Sequence, residues 1–240
     1  MALTRGHFIW AVMIAALSAV AYAAPGQDLF RVWDFDKNPI GAVPEGFTAY
    51  QAGAAQTAAI WMVERDESAP NPPNILRQAV PCPDPGCLQL LLASGLVYDY
   101  PDLSVRMRLI PGASARTGAA GGLVFGAKDG NQFYAALVEA AGGAVELVRV
   151  REGKPTVLAR ETPKPKKVTW HHLRVQRNTT ISKEYIEVSL DGQLVLSFDD
   201  KTLEPGQIGV VTRGDGTISF DHLHAAPLYS QKPLSPPAAY

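Results

Sequence analysis

The chain has 240 residues, 47% of them apolar and 19% charged, with 22 Lys and Arg against 23 Asp and Glu for a formal net charge of −1. Those proportions exclude an intrinsically disordered chain and a polytopic membrane protein. The balanced charge removes the electrostatic drive toward nucleic acid or anionic lipid, so no nucleic-acid partner is expected.

The first segment reads as a leader rather than as part of the fold. Arg5 and His7 precede an apolar stretch from Phe8 to Val20, and Ala21-Tyr22-Ala23 supplies a small-x-small cleavage pattern. The stretch is short for a bilayer span of about 20 residues. The sequence therefore predicts a signal peptide over 1–23, cleavage before Ala24, and an exported product, periplasmic or secreted, without stable membrane insertion. Residues 24–28 form a short N-terminal segment, 29–226 a single domain, and 227–240 a Pro-rich disordered tail.

Between Ser68 and Gly86 six prolines interrupt regular pairing around a strand candidate, Ile75 to Val80. The two cysteines, Cys82 and Cys87, flank a Pro-Gly turn. In an exported chain that spacing points to a small local disulfide. A thiolate metal site needs further ligands that the neighbouring sequence does not offer.

From Leu103 onward, strand-like runs recur about every ten residues. Leu103, Val105, Met107 and Leu109 alternate with Ser104, Arg106 and Arg108, so the two sets face opposite ways. Similar runs occupy 121–127, 131–140, 144–151, 156–161, 168–177, 184–190, 193–199, 206–212 and 217–225. Asp129-Gly130, Glu152-Gly153 and Asp191-Gly192 mark hairpin turns between them. No stretch of a dozen residues after the leader has a 3.6-residue period. The expected fold class is all-β, an antiparallel β-sandwich or jelly roll.

Trp170-His171-His172-Leu173-Arg174-Val175, followed by Ile186 to Leu190 and Asp191-Gly192, resembles the concanavalin A-like jelly roll, including laminin-G-like domains. Trp33-Asp34-Phe35-Asp36, Trp61-x-Val63, Gly121 to Phe125, Asn131 to Tyr134 and Phe220-Asp221-x-Leu223 occur in the order seen in its bacterial branch, the 3-keto-disaccharide hydrolase-like (family-16-glucanase-like) domains. The resemblance covers about residues 29–226 and implies the fold more than an activity. The glucanases' Glu-x-Asp-x-(x)-Glu motif is missing: Glu184 and Glu187 lack the central aspartate, and Glu64 with Asp66 reads as a solvated strand-end cluster. Where relatives carry polar groups, Ala135 to Gly143 is nearly free of them. No catalytic residue is assigned.

The resemblance further implies a structural calcium ion, with Asp34, Asp36 and Asp221 as candidate ligands, although aspartates at strand ends are also routine. His222-x-His224 has a spacing that can suit zinc or copper, but without an adjacent Cys or clear third ligand it reads as structural, with a bulge expected between them because Phe220 and Leu223 break the alternation. Sugar binding needs an aromatic platform beside planar polar groups. Arg106, Arg108, Tyr134, Arg174 and Arg213 are the candidates for one ligand-binding face, and a salt-bridged sheet surface is the competing reading. Three functional readings follow. The first is an exported module that binds carbohydrate or another extracellular ligand, the second a hydrolase acting on (3-keto-)glycosides, and the third a structural or protein-interaction domain.

Overall fold

The computed structural model describes residues 29–52, 59–82, 84, 86–112, 118–164, 166–179, 183–202 and 204–228. The expected leader, the 24–28 segment and the tail from 229 lie outside the described residues. Fifteen strands, and no helix, occur among the described residues: β1 (Arg31–Trp33), β2 (Phe47–Ala52), β3 (Trp61–Arg65), β4 (Asn74–Gln78), β5 (Leu88–Ala93), β6 (Pro101–Ile110), β7 (Ala120–Asp129), β8 (Gln132–Glu139), β9 (Val145–Arg151), β10 (Lys154–Glu161), β11 (His171–Thr179), β12 (Glu184–Leu190), β13 (Gln193–Asp199), β14 (Gln207–Arg213) and β15 (Thr217–Pro227).

They form two antiparallel sheets. Sheet A runs β13-β12-β11-β6-β15-β4-β3, with β1 also pairing with β15, and sheet B runs β10-β9-β8-β7-β14-β5-β2. The alternation read in β6 sets the inner face of sheet A. Leu103, Val105 and Met107 are buried, and Leu173 and Val175 of β11 lie directly across at Val105 and Leu103. Sheet B answers with Leu91, Leu123, Phe125, Tyr134, Leu147 and Val210, and these side chains form one core between the sheets. Burying apolar surface at roughly 25 cal/mol per Å² is what holds the two layers together.

The hairpin joining β12 to β13 shows how the sequence closes a turn. Asp191 and Gly192 have φ of 52° and 80°, the paired positive angles that match a tight turn to the twist of its strands. The last strand is irregular, as its broken pattern predicts. The pairing of β15 with β6 shifts register between Asp221 and His224, and His222 adopts φ 51°.

Sheet B differs from the usual one-sided pattern of an antiparallel sheet. Its outer face carries a second apolar cluster, including Leu88, Leu90, Val124, Phe133, Leu137 and Val148. With both faces buried, β5 and β8 lose the polar/apolar alternation that marks a half-solvated strand.

Cys82 and Cys87 are bonded, with Cα atoms 6.2 Å apart, and both are buried. Closing so short a loop restricts the unfolded chain by only about 2 kcal/mol. The double Cys→Ser variant is therefore expected to fold, with stability lowered by about that amount in chemical denaturation. Failure to fold would show that the bond does more than close a loop.

Candidate functional site

A cavity of about 380 Å³ opens at one end of the sandwich. Three connections frame it: Ala140 to Gly143 after β8, Pro163, Lys164 and Lys166 before β11, and the Asp191 turn. Leu109, Val138 and Leu190 line it with apolar surface from three strands. His171 opens β11 on the same side as Leu173 and Val175, and because it stands at the strand's end it meets the cavity instead of the core.

The Asp191 turn holds this histidine. Asp191 Oδ2 lies 2.7 Å from His171 Nδ1, and Asp191 Oδ1 accepts from the His172 amide at 2.8 Å. The Asp191 amide donates to the His172 carbonyl at 2.8 Å, and Lys166 Nζ donates to the Asp191 carbonyl at 2.6 Å. With Nδ1 bonded to the carboxylate, Nε2 is the nitrogen left for a ligand. Glu139 is neutralised by Arg160, at 2.8 and 2.9 Å. Lys164 has no ion-pair partner among the described residues. The cavity thus presents an imidazole, an ammonium and the Gln193 amide around an apolar wall.

The structure separates the five residues expected to form a ligand face. Arg106, Arg108 and Arg174 do share one face, the outer side of sheet A, with His172 and Trp170. Two of the three are already engaged. Arg108 pairs with Asp66 at 2.6 Å and lies 4.9 Å over the Trp170 ring, and Arg174 grips Asp102 at 2.8 and 2.5 Å. Arg106 is exposed.

Tyr134 lines no groove. It is fully buried in the core, its ring stacked 5.2 Å from Phe125, and its hydroxyl donates to Asp200 at 2.8 Å. Asp200 also takes an ion pair from Arg149 at 2.5 Å. Burial alone would raise the Asp200 pKa, but Thr202, Tyr134 and Arg149 outweigh it and hold the carboxyl below its ordinary value. Arg213 stands on the outer face of the other sheet, where it pairs with Glu146 at 2.7 Å and donates to the Gly118 carbonyl at 3.0 Å. Strand parity placed each residue on a face but did not say which sheet the face belonged to.

Each of the three calcium candidates accepts a hydrogen bond from a backbone amide. Asp34 accepts from the Asp36 amide at 3.2 Å, Asp36 accepts from the Asn74 amide at 3.2 Å, and Asp221 accepts from the Asn71 amide at 2.7 Å. No group of three or more His, Cys, Asp or Glu able to hold a metal occurs among the described residues, and His222 and His224 join none. Asp221 is itself unusual. It is fully buried, its Oδ1 has no hydrogen-bond partner among the described residues, and burial, reinforced by the nearby Asp36 charge, pushes its pKa up to about 6. Of the acidic residues set aside in the sequence, Glu64 pairs with Arg77 at 2.7 Å, Asp66 with Arg108 at 2.6 Å and Glu184 with Arg177 at 2.8 Å.

Sequence reasoning missed the cavity. The stretch Ala135 to Gly143 reads as nearly free of polar groups, and only the fold brings Ala140 to Gly143, together with Pro163, Lys164 and Lys166, beside His171. The one local sign was a histidine at a strand start followed, one hairpin later, by Asp-Gly.

The architecture is a two-sheet antiparallel β-sandwich with a site candidate at one end. The chain matches no protein-family model and no curated protein. Among solved structures it is similar to a carbohydrate-binding module (CBM66) from Bacillus subtilis, with 19% identity, a TM-score of 0.54, and coverage of 75% of this chain and 94% of that one. It is also similar to a protein of unknown function from Shewanella oneidensis MR-1, with 12% identity, a TM-score of 0.53, and coverage of 86% and 89%. At these identities the likeness is one of fold.

Proposed function

We propose that the protein is an exported module that binds carbohydrate in the end cavity. The observation that carries this is the His171–Asp191 pair, held rigidly at the mouth of a cavity of about 380 Å³, within the range of about 300–1,000 Å³ usual for small-ligand sites. Leu109, Val138 and Leu190 suit the C–H face of a sugar ring, while His171, Lys164 and Gln193 suit its hydroxyls. The fold shared with a carbohydrate-binding module supports the reading. The leader and the disulfide support export.

His171→Ala is expected to weaken glycan binding roughly tenfold, about 1.4 kcal/mol, by removing one polar contact. Arg106→Ala, on the outer face of sheet A, is expected to leave it unchanged. A glycan array followed by calorimetry on exported protein, with and without calcium, tests this. Intact mass of the same material checks cleavage before Ala24. Absence of binding across a broad panel, or loss of it in Arg106→Ala alone, would refute the assignment.

A second reading rests on the same pair. An imidazole oriented by a carboxylate has the geometry of a general base, and it would serve hydrolysis of a (3-keto-)glycoside in this cavity. Turnover of such substrates that disappears in His171→Ala would favour the enzyme over the binding module.

A further inference from the structure

The outer face of sheet B poses a question the end cavity does not answer. Every apolar side chain packed into its cluster belongs to a strand of sheet B, with Tyr50 of β2 at the margin. All members of the cluster are 3% exposed or less, and Leu90, Val124, Phe133 and Leu137 are at 0%. Side chains standing on one face of one sheet point the same way and do not bury one another so completely. A face this apolar needs a cover.

The segments outside the described residues differ sharply in what they can offer. Residues 53–58 and 113–117 hold only Gly, Ala, Ser, Thr, Gln and Arg, and 229–240 is Pro-rich. The segment from Phe8 to Val20 alone holds a run of large apolar side chains, among them Phe8, Ile9, Trp10, Met13, Ile14 and Leu17. Its length fits. In helical form thirteen residues span about 20 Å, and the five adjacent strands from β5 to β9 span about 19 Å, four spacings of about 4.8 Å.

The chain also emerges in the right place. The Leu29 carbonyl accepts from the Tyr98 hydroxyl at 2.7 Å, and Tyr98 bridges to Gly206, just before β14. Gly206 in turn abuts Ala127, a member of the outer cluster. Eight residues separate Val20 from Leu29, and at about 3.4 Å each they reach about 27 Å.

We propose that the outer face of sheet B is a docking surface for the chain's own apolar segment from Phe8 to Val20. This surface is separate from the end cavity, and its fate does not bear on sugar binding.

The test uses cell-free synthesis without membranes, which leaves the leader attached. Three proteins are compared: the full chain, residues 24–240, and the full chain carrying Ile14→Asp. Each is mixed with the apolar dye ANS, and the full chain is also made with a photo-cross-linking amino acid in place of Val148. The expected result is a cross-link within one chain to a peptide from residues 1–23, and dye fluorescence roughly threefold or more higher in the other two proteins than in the full chain. Should residues 24–240 fail to fold, Ile14→Asp supplies the same comparison. Equal dye binding in the full chain and Ile14→Asp, or a cross-link to the C-terminal tail or to a second copy, would overturn the proposal.

Discussion

The Asp221→Asn variant is expected to be more stable than the parent at pH 7, by as much as about 3 kcal/mol. Burial raises the Asp221 carboxyl from 3.8 to about 6, and each pKa unit corresponds to about 1.4 kcal/mol between protonation states. The folded chain therefore holds this proton more tightly than the unfolded one. Stability from this group is fully present below about pH 4 and is lost as pH rises to about 6. Asparagine keeps the shape and the acceptor for the Asn71 amide but has no charge to bury. Urea denaturation of both proteins at pH 4, 5, 6 and 7 checks the sign, because the difference between them should grow with pH. A difference that is flat across that range would mean that Asp221 is not protonated in the fold. Asp66 and Asp200, whose pKa values are lowered, act oppositely in both proteins and cancel in the comparison.

A larger loss is expected from Gly122→Ala and from Gly209→Ala. These residues lie on neighbouring strands, Gly209 beside Val124 and Gly122 beside Val211. A Cβ on Gly122 would drive into the Ala136 carbonyl, and one on Gly209 into that of Leu91, far closer than atoms can approach. In both places the obstacle is backbone of an adjacent strand, which moves only if the pairing itself gives way. Each substitution is expected to cost at least about 3 kcal/mol, above the usual range for a single replacement. Gly142→Ala, which meets nothing within 4 Å, should stay within about 0.5 kcal/mol of the parent. Denaturation midpoints of the three variants decide the matter, and a mild effect at Gly122 would mean the strands there are less crowded than described.

Legibility in the sequence followed exposure. β6, β11 and β12 each have one wet face and one dry face, so Leu103, Val105, Leu173, Val175, Ile186 and Val188 could be placed by parity alone. The Asp-Gly turn at Asp191 was readable for a local reason, since few residue pairs accept its angles. β5 was not read, because Leu88 to Leu92 is buried on both sides and carries no period. The same double burial misled the reading of Tyr134. In β8 every residue from Phe133 to Val138 is buried, so nothing local tells which ring meets the core. The end cavity depends on pieces more than fifty residues apart, Glu139 and Gln193 among them. No local pattern records that they meet.

The strand order has a consequence for how the protein is made. β15, the last strand, sits between β6 and β4 near the middle of sheet A, and β14 sits between β7 and β5 in sheet B. A chain leaving the ribosome therefore holds two incomplete sheets, each missing an interior strand, until nearly all of it has been synthesised. Pairings that bridge such long loops form late and slowly. The nascent chain thus remains unfolded while its N-terminal half is already available to other machinery, and a chain that crosses a membrane as an extended thread must be in that state.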